Sequence, residues 1–414
     1  MLKNKIFKNI KNWFLYFQKN MPLLFLIIIF FSFIFIYNFS AIIPQHFSYL
    51  ADSFLHGKFY FLENVALKIG TDSDMVFYNN HYYWPLGPLP AVILMPFVFI
   101  FKFLNLFFYQ GYLQFFLVLL ILLILFKINR KIDFSKSDSL YLASAFLFSS
   151  MFLGVALISS SWFFAQVITV FFIFLALWEY FNKKRYFLIG IIFGLIFLTR
   201  ITAGLGLLFF ILEILLNKKK REYKIKDIFL LLLPFVFIVG FLFFYNYLRF
   251  NNFLEQGYGL QILYGIGSAN RDYGLFSLKH LAGNIYYSIF SMPLPVFINN
   301  LSQVLKFPFI QANPWGMSIF LTSPYLIYLF FLKFKDKISY FLLITVIFIT
   351  IPIFLNYGIG FSQFGYRYAL DFFPFLFLLF IINYRNKYKF LSKNLKLLII
   401  LSSLFNLYLF FTFF

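Results

Sequence analysis

Carboxylates, imidazoles and guanidinium groups are scarce in this chain, and they are not spread evenly along it. The stretch 45–90, QHFSYLADSFLHGKFYFLENVALKIGTDSDMVFYNNHYYWPLGPLP, holds His46, His56 and His81, three of the four histidines, together with Asp52, Glu63, Asp72 and Asp74. Asp52 and His56 stand four apart, a spacing that places both on one face of a helix. A carboxylate beside an imidazole at a membrane surface can work as a general base. It can also help to hold a divalent cation such as magnesium or manganese, with His46 as a further ligand. The plain alternative is an exposed acid on an amphipathic helix. Asp72 and Asp74, in GTDSD, read as a turn pair with Asx-type hydrogen bonds or as two carboxylates close enough to share a cation.

A second constellation lies far downstream. Arg367 and Asp371, in QFGYRYALDFFPF, are again four apart and open an apolar run. Ionisable groups at the edge of a membrane span are costly and functional by default. Either the two neutralise each other within a helix, or Arg367 grips a phosphate bidentately while Asp371 orients it. Arg249, Glu255, Arg271 and Asp272 fall in another polar stretch, 248–315, and Arg200 interrupts the apolar run FLTRITAGL. No Walker loop, dinucleotide fingerprint, HExxH or GxSxG occurs, so nucleotide hydrolysis, zinc peptidase and α/β-hydrolase chemistry have no support. The chain has no cysteine, which excludes disulfides and thiolate chemistry.

The elements that must carry these groups follow from composition. Of 414 residues 62% are hydrophobic and only 12% charged, more apolar surface than a water-soluble core can hide, so the chain reads as one all-α polytopic membrane domain. The net charge of +21 comes from lysines clustered in short connectors. That is the cytoplasmic bias of membrane proteins together with attraction to anionic lipid, and it does not point to nucleic acid. Residues 1–21 alternate lysines with Leu, Ile, Phe and Trp, which suggests a basic amphipathic helix on the inner leaflet.

Apolar runs predict spans at Pro22–Ile43, Pro88–Phe107, Gly111–Ile128, Ser139–Ile158, Trp162–Tyr180, Tyr186–Leu198, Thr202–Leu216, Ile228–Tyr247, Gly316–Phe334, Ile338–Leu355, Tyr368–Tyr384 and Leu395–Phe414. About 11–13 transmembrane helices are therefore expected, with the N-terminus inside and the C-terminus outside. Placing the basic connectors inside works from Tyr180 onward. It fails once: two full spans before NRKIDFSK would leave that connector outside. Three outer regions result, at 44–90, 248–315 and near Tyr357–Tyr366. In the first, Phe47–Leu55 has the spacing of a short surface helix stopped by Gly57, and YNNHYY reads as a hairpin-like turn. Tyr82, Tyr83 and Trp84 sit where an interfacial aromatic belt belongs.

Taken in order, YLADSFLHGKFYF, YNNHYYWPLGPLPAVILMPF, YNYLRFNNFLEQGYGLQ and FGYRYALDFFPFLFLL resemble polytopic glycosyltransferases of the GT-C fold, of the type of protein mannosyltransferases and aminoarabinose transferases. The likeness runs from about Pro22 to Pro374. It implies inverting transfer of a sugar from a polyprenyl-phosphate donor to a lipid, glycan or protein acceptor, on the outer face of the inner or plasma membrane. It also implies that an acid in the first outer loop is the base. Many relatives carry that acid directly after the first span, where this chain has Pro44-Gln45-His46; Asp52 is then the first candidate, Asp74 the second, and His46 a residue that shares the work. Arg271 and Arg367 are the expected lipid-phosphate contacts, and His46, Tyr83, Trp84, Glu255 and Asp371 the expected substrate contacts. The alternative is a transporter or flippase of a lipid-linked sugar, which would use the same outer groups without a base; no internal repeat or symmetric pair of broken helices supports it.

Overall fold

The computed structural model describes residues 2–40, 44–62, 65–217, 220–299 and 301–413, with side chains from Asn20 onward. Its first helix, α1 (Leu2–Phe39), is continuous through Pro22, so the described part of the expected N-terminal segment, from Leu2, runs unbroken into the first span. The described residues of the loop that follows fold much as their residue types require. Helix α2 (His46–Leu55) turns Phe47, Leu50 and Ala51 inward, and Gly57, at a φ of 68°, takes the left-handed conformation that lets the chain turn away. A short α3 (Val65–Ile69) leads to the hairpin β1 (Val76–Tyr78) and β2 (His81–Tyr83). Its two-residue turn, Asn79-Asn80, has φ of 48° and 61°, the pair of left-handed residues that suits the twist of a tight hairpin and that asparagine tolerates.

The rest is helical: α4 (Leu89–Phe103), α5 (Gln110–Lys131), α6 (Lys136–Phe148), α7 (Phe152–Leu157), α8 (Ser161–Asn182), α9 (Tyr186–Phe197), α10 (Ile201–Gly204), α11 (Leu207–Leu216) and α12 (Arg221–Phe250). After an outer region with α13 (Ile266–Arg271), α14 (Leu281–Ile285) and a second hairpin, β3 (Leu294–Phe297) and β4 (Leu305–Gln311), come α15 (Ile319–Thr322), α16 (Lys337–Leu355), α17 (Phe373–Lys387) and α18 (Lys393–Phe411). Among the described residues six helices are long and apolar enough to cross a membrane: Asn20–Phe39 of α1, α5, α8, α12, α16 and α18. Other expected spans are shorter or broken. Ser139–Ile158 is split between α6 and α7, Thr202–Leu216 between α10 and α11, and Gly316–Phe334 becomes α15 followed by a 3₁₀ helix at Pro324–Phe331. Apolarity reports burial in lipid or protein, not helical continuity, and Pro324 supplies no N–H to continue α15.

These breaks are affordable only because their backbone groups find partners inside the protein. Between α7 and α8, Gln114 Nε2 donates to the carbonyls of Val155 and Ile158 at 3.0 and 3.1 Å, Gln110 Nε2 to that of Ser159 at 2.6 Å, and Asn38 Nδ2 to that of Ala156 at 2.8 Å. Gly111 allows this crossing, since a Cβ there would collide with the Asn38 carbonyl.

The same contacts settle the early topology. With 15 residues, α4 is about 22 Å long at ~1.5 Å per residue, short of the roughly 30 Å of hydrocarbon. Its last turn comes back to α2, where Lys102 Nζ lies 2.7 Å from Asp52 Oδ1. Helix α5 starts beside the end of α1, with Gln110 N–H donating to Gln45 Oε1 at 2.8 Å. The chain therefore enters and leaves 44–110 at one end of the bundle, and α5 carries it to the other. There Ser137 meets Asn20, Asp138 pairs with Lys396 of α18 at 2.6 Å, and Asn386 bonds Asp336 at 2.5 Å. NRKIDFSK thus sits with the other basic connectors, and its conflict with the charge rule disappears once α4 is not a span.

Candidate active site

At the end opposite the basic connectors a cavity of about 1240 Å³ opens among the loop 73–87, the starts of α8 and α10, the end of α12, residues 254–270 including the start of α13, and the end of α16 with the loop 356–362. It is larger than the roughly 300–1,000 Å³ that one small ligand fills, which leaves room for two substrates at once. Its ionisable lining consists of Asp74, Arg200, Arg249, Glu255 and Arg367, with Tyr37, Tyr258, Tyr264, Tyr357 and Tyr368.

Asp74 reaches this cavity through a strained but well-tied turn. Its φ is 67°, its N–H donates to the Ile262 carbonyl at 2.9 Å, and its own carbonyl accepts from Gln261 Nε2 at 2.9 Å. The turn is thereby strapped to the second outer region. Burial pushes the Asp74 carboxyl above its ordinary range, while the positive charge of Arg367 pulls the other way. Asp72 takes a different course: it accepts a bond from Tyr264 at 3.0 Å on the exposed side. The two carboxylates do not act as a pair.

Arg367 and Asp371 are also separated. Residues 367–371 form a 3₁₀ helix, in which positions four apart no longer face the same way. Asp371 is fully buried and is gripped bidentately by Arg200, Nε to Oδ1 at 2.6 Å and Nη2 to Oδ2 at 2.9 Å, with Thr202 as a further donor. The expectation that Asp371 orients Arg367 is corrected: its partner is Arg200. Arg367 is buried, and its Nε has no hydrogen-bond partner among the described residues. Its guanidinium lies over the rings of Tyr368 and Phe163, 4.7 and 5.2 Å from their centroids, and lines the cavity. A desolvated cation without an acceptor is a site for an anion.

Arg271 is placed otherwise. It donates to the carbonyls of Gln261 and Tyr258, at 2.6 and 3.4 Å, and so holds the loop from behind. Arg249, which the sequence suggested was a loop cation, belongs to the last turn of α12 and is buried. It donates to the Trp84 carbonyl at 2.9 Å and to Asn246 Oδ1 at 2.7 Å, against the rings of Tyr245 and Phe250. Glu255 lines the cavity and accepts from the Gly257 N–H at 2.6 Å. Tyr258 is another lining group, its phenol pushed up to about 12 by burial.

The remaining expected residues stand outside this cavity. Asp52 is partly exposed on the outer flank, paired with Lys102 and with His56 Nδ1 at 3.6 Å; the predicted Asp52–His56 face is present, but it looks away from the cavity. His46 is buried, stacked 3.8 Å from Trp84 with its Nδ1 3.1 Å from Ser161 Oγ, and burial lowers its pKa to about 3. Six residues apart on one helix, His46 and Asp52 face different ways and do not form a joint metal site. Among the described residues no group of three or more His, Asp or Glu side chains is placed to hold a metal ion. Tyr83 and Trp84 are buried core residues packed on Phe250 and His46, not an interfacial belt. Glu63 lies outside the described residues. Arg200 carried one usable signal in the sequence, a charge interrupting an apolar run; Arg249 stood out only as a cation beside carboxylates, with no sign that it would be buried at the end of a helix.

No protein-family profile and no curated protein matches the sequence. Among solved structures the fold is similar to the crystal structure of the Archaeoglobus fulgidus oligosaccharyltransferase in the apo form, at a TM-score of 0.49 and 12% sequence identity. That likeness covers 96% of this chain and 56% of that one, so this chain spans little more than half of the solved chain's length.

Proposed function

We propose that this protein is an inverting glycosyltransferase that moves a sugar from a polyprenyl-phosphate donor to a lipid, glycan or protein acceptor at the outer face of the membrane, with Asp74 as the base. The observation that carries the reading is one cavity holding both a carboxylate with a raised pKa and an unsatisfied arginine, at the end away from the basic connectors. The order of the sequence motifs supports it as well. Asp74 takes the proton of the acceptor hydroxyl as that oxygen attacks the anomeric carbon. The glycosidic bond to phosphate breaks on the opposite face of the sugar, and the phosphate leaves with the bonding electrons. Arg367 stabilises the negative charge that gathers on the leaving phosphate. Asp52 and Arg271, engaged elsewhere, are not assigned these roles.

The test is transfer in liposomes that contain the purified protein, a polyprenyl-phosphate sugar and an acceptor, with release of polyprenyl phosphate as readout. Asp74→Asn should lower the rate by about 10²–10⁴-fold without changing thermal unfolding. Full activity in that variant refutes the assignment of the base. Movement of the intact donor between leaflets, without released polyprenyl phosphate, would favour a transporter instead.

A further inference from the structure

The β3–β4 hairpin takes no part in this chemistry, and its surface is unusual for an extramembrane loop. From Phe290 to Gln311 the only ionisable side chain is Lys306. Leu294, Phe297, Leu301, Leu305, Phe307 and Phe309 are all exposed, Leu301 fully and Phe307 to 77%. Successive strand residues point to opposite faces of a ribbon. Here neighbours within a strand are uncovered together, Leu294 with Pro295 in β3 and Leu305, Lys306 and Phe307 in β4, so both faces are open toward the tip, while Pro308 and Ile310 are half-buried nearer the base. A protein partner would cover one face of a two-stranded ribbon and leave the other in water. An apolar solvent covers both.

The level of the ribbon is given by its contacts. Tyr408 donates to the Pro308 carbonyl, and the Ala312 N–H donates to Thr412 Oγ1 at 3.1 Å. Tyr408 lies in the last turn of α18, a helix able to cross a membrane, and Thr412 caps it. At that level Phe411 packs on Tyr37 of α1. The strand β4 therefore runs beside the terminal turn of a span. The open edges of a two-stranded ribbon keep it out of the hydrocarbon centre, and Lys306 suits anionic headgroups.

We propose that the β3–β4 hairpin is a lipid-binding element, inserted into the headgroup–acyl boundary of the leaflet at the cavity end. Its base is tied to the cavity wall: Asn313 Nδ2 donates to Ser291 Oγ at 3.2 Å, and Ser291 Oγ to the Gly316 carbonyl at 2.8 Å. Between Asn313 and Gly316 stands Trp315, which lines the cavity. Lipid contact at the hairpin thereby steadies the rim.

The absence of native cysteine makes single spin labels clean reporters. Nitroxides on Phe297→Cys, Leu301→Cys and Phe307→Cys, in the full chain reconstituted into phosphatidylcholine–phosphatidylglycerol liposomes, are compared by power saturation with one on Lys220→Cys. The hairpin labels should collide several-fold more often with oxygen than with a water-soluble nickel chelate, and the Lys220 label the reverse. Preferential nickel collisions at the hairpin overturn the proposal by placing it in water; labels shielded from both reagents overturn it by placing it under protein. Leu301 is fully exposed, so its label keeps the test decisive where a phenylalanine substitution disturbs the ribbon.

Discussion

Two regions at the cavity end carry similar groups in different surroundings. On the α2–α4 flank, Asp52 meets Lys102 and His56 in the open. On the cavity wall, Asp74 is half-buried, makes no ion pair among the described residues and feels Arg367 only at a distance. The arginines repeat the contrast: Arg200 is saturated by Asp371, whereas Arg367 is aimed at the cavity with Nε unsatisfied. Availability for chemistry therefore follows from what each group already holds, and residue type or spacing says little about it.

The contrast can be broken at four points. Asp371→Ala leaves the Arg200 guanidinium buried and uncompensated, and should cost about 3–5 kcal/mol in thermal or denaturant unfolding; adding Arg200→Leu should restore most of it. Arg367→Gln removes a free cation and no existing bond. It should leave stability nearly unchanged while lowering kcat/KM for the lipid-phosphate donor by roughly 10–100-fold, the worth of a charged hydrogen bond. A weaker lever is pH. Asp74 must be ionised to act as a base, and burial raises its pKa, so kcat/KM should be flat above that raised pKa and fall about tenfold per unit below it. The acid limb should stand above the ordinary range of an aspartate and persist in Asp52→Asn. Smallest of all, Asp52→Asn itself should change stability by less than about 1 kcal/mol, as exposed pairs do, and transfer by no more than about twofold. A large loss of transfer in that variant would reverse the comparison.

Much of the scaffold was legible because long apolar runs leave few alternatives to helix. The expected Ile338–Leu355 is α16 to within a residue, and the Phe47–Leu55 helix, its Gly57 stop and the hairpin turn at Asn79-Asn80 all occur. Continuity was not legible. Gly316–Phe334 is mostly apolar and still breaks at Ser323-Pro324, and α4 is apolar but too short to cross. The site was legible only as a set of residues. Reading Arg367 and Asp371 as facing partners presumes 3.6 residues per turn, and the 3₁₀ geometry there voids it. Trp84 at a loop's end fits an aromatic belt and a core equally well; only the packed fold, with His46 stacked on it, separates the two.

The amide seam between α7 and α8 bears on how this protein is made. Asn38 lies near the end of α1 and Gln110 and Gln114 at the start of α5, while the carbonyls they satisfy belong to residues 155–159. During synthesis those amides emerge long before their acceptors, and in lipid an unmet polar group of this kind costs several kcal/mol. Asn38 and Gln110 have partial substitutes in the carbonyls of Ile34 and Pro44, at 2.8 and 3.2 Å, whereas the acceptors of the Gln114 amide among the described residues all belong to residues 155–158. Satisfying these amides in full is a consequence of placing the broken α7–α8 segment against α1 and α5.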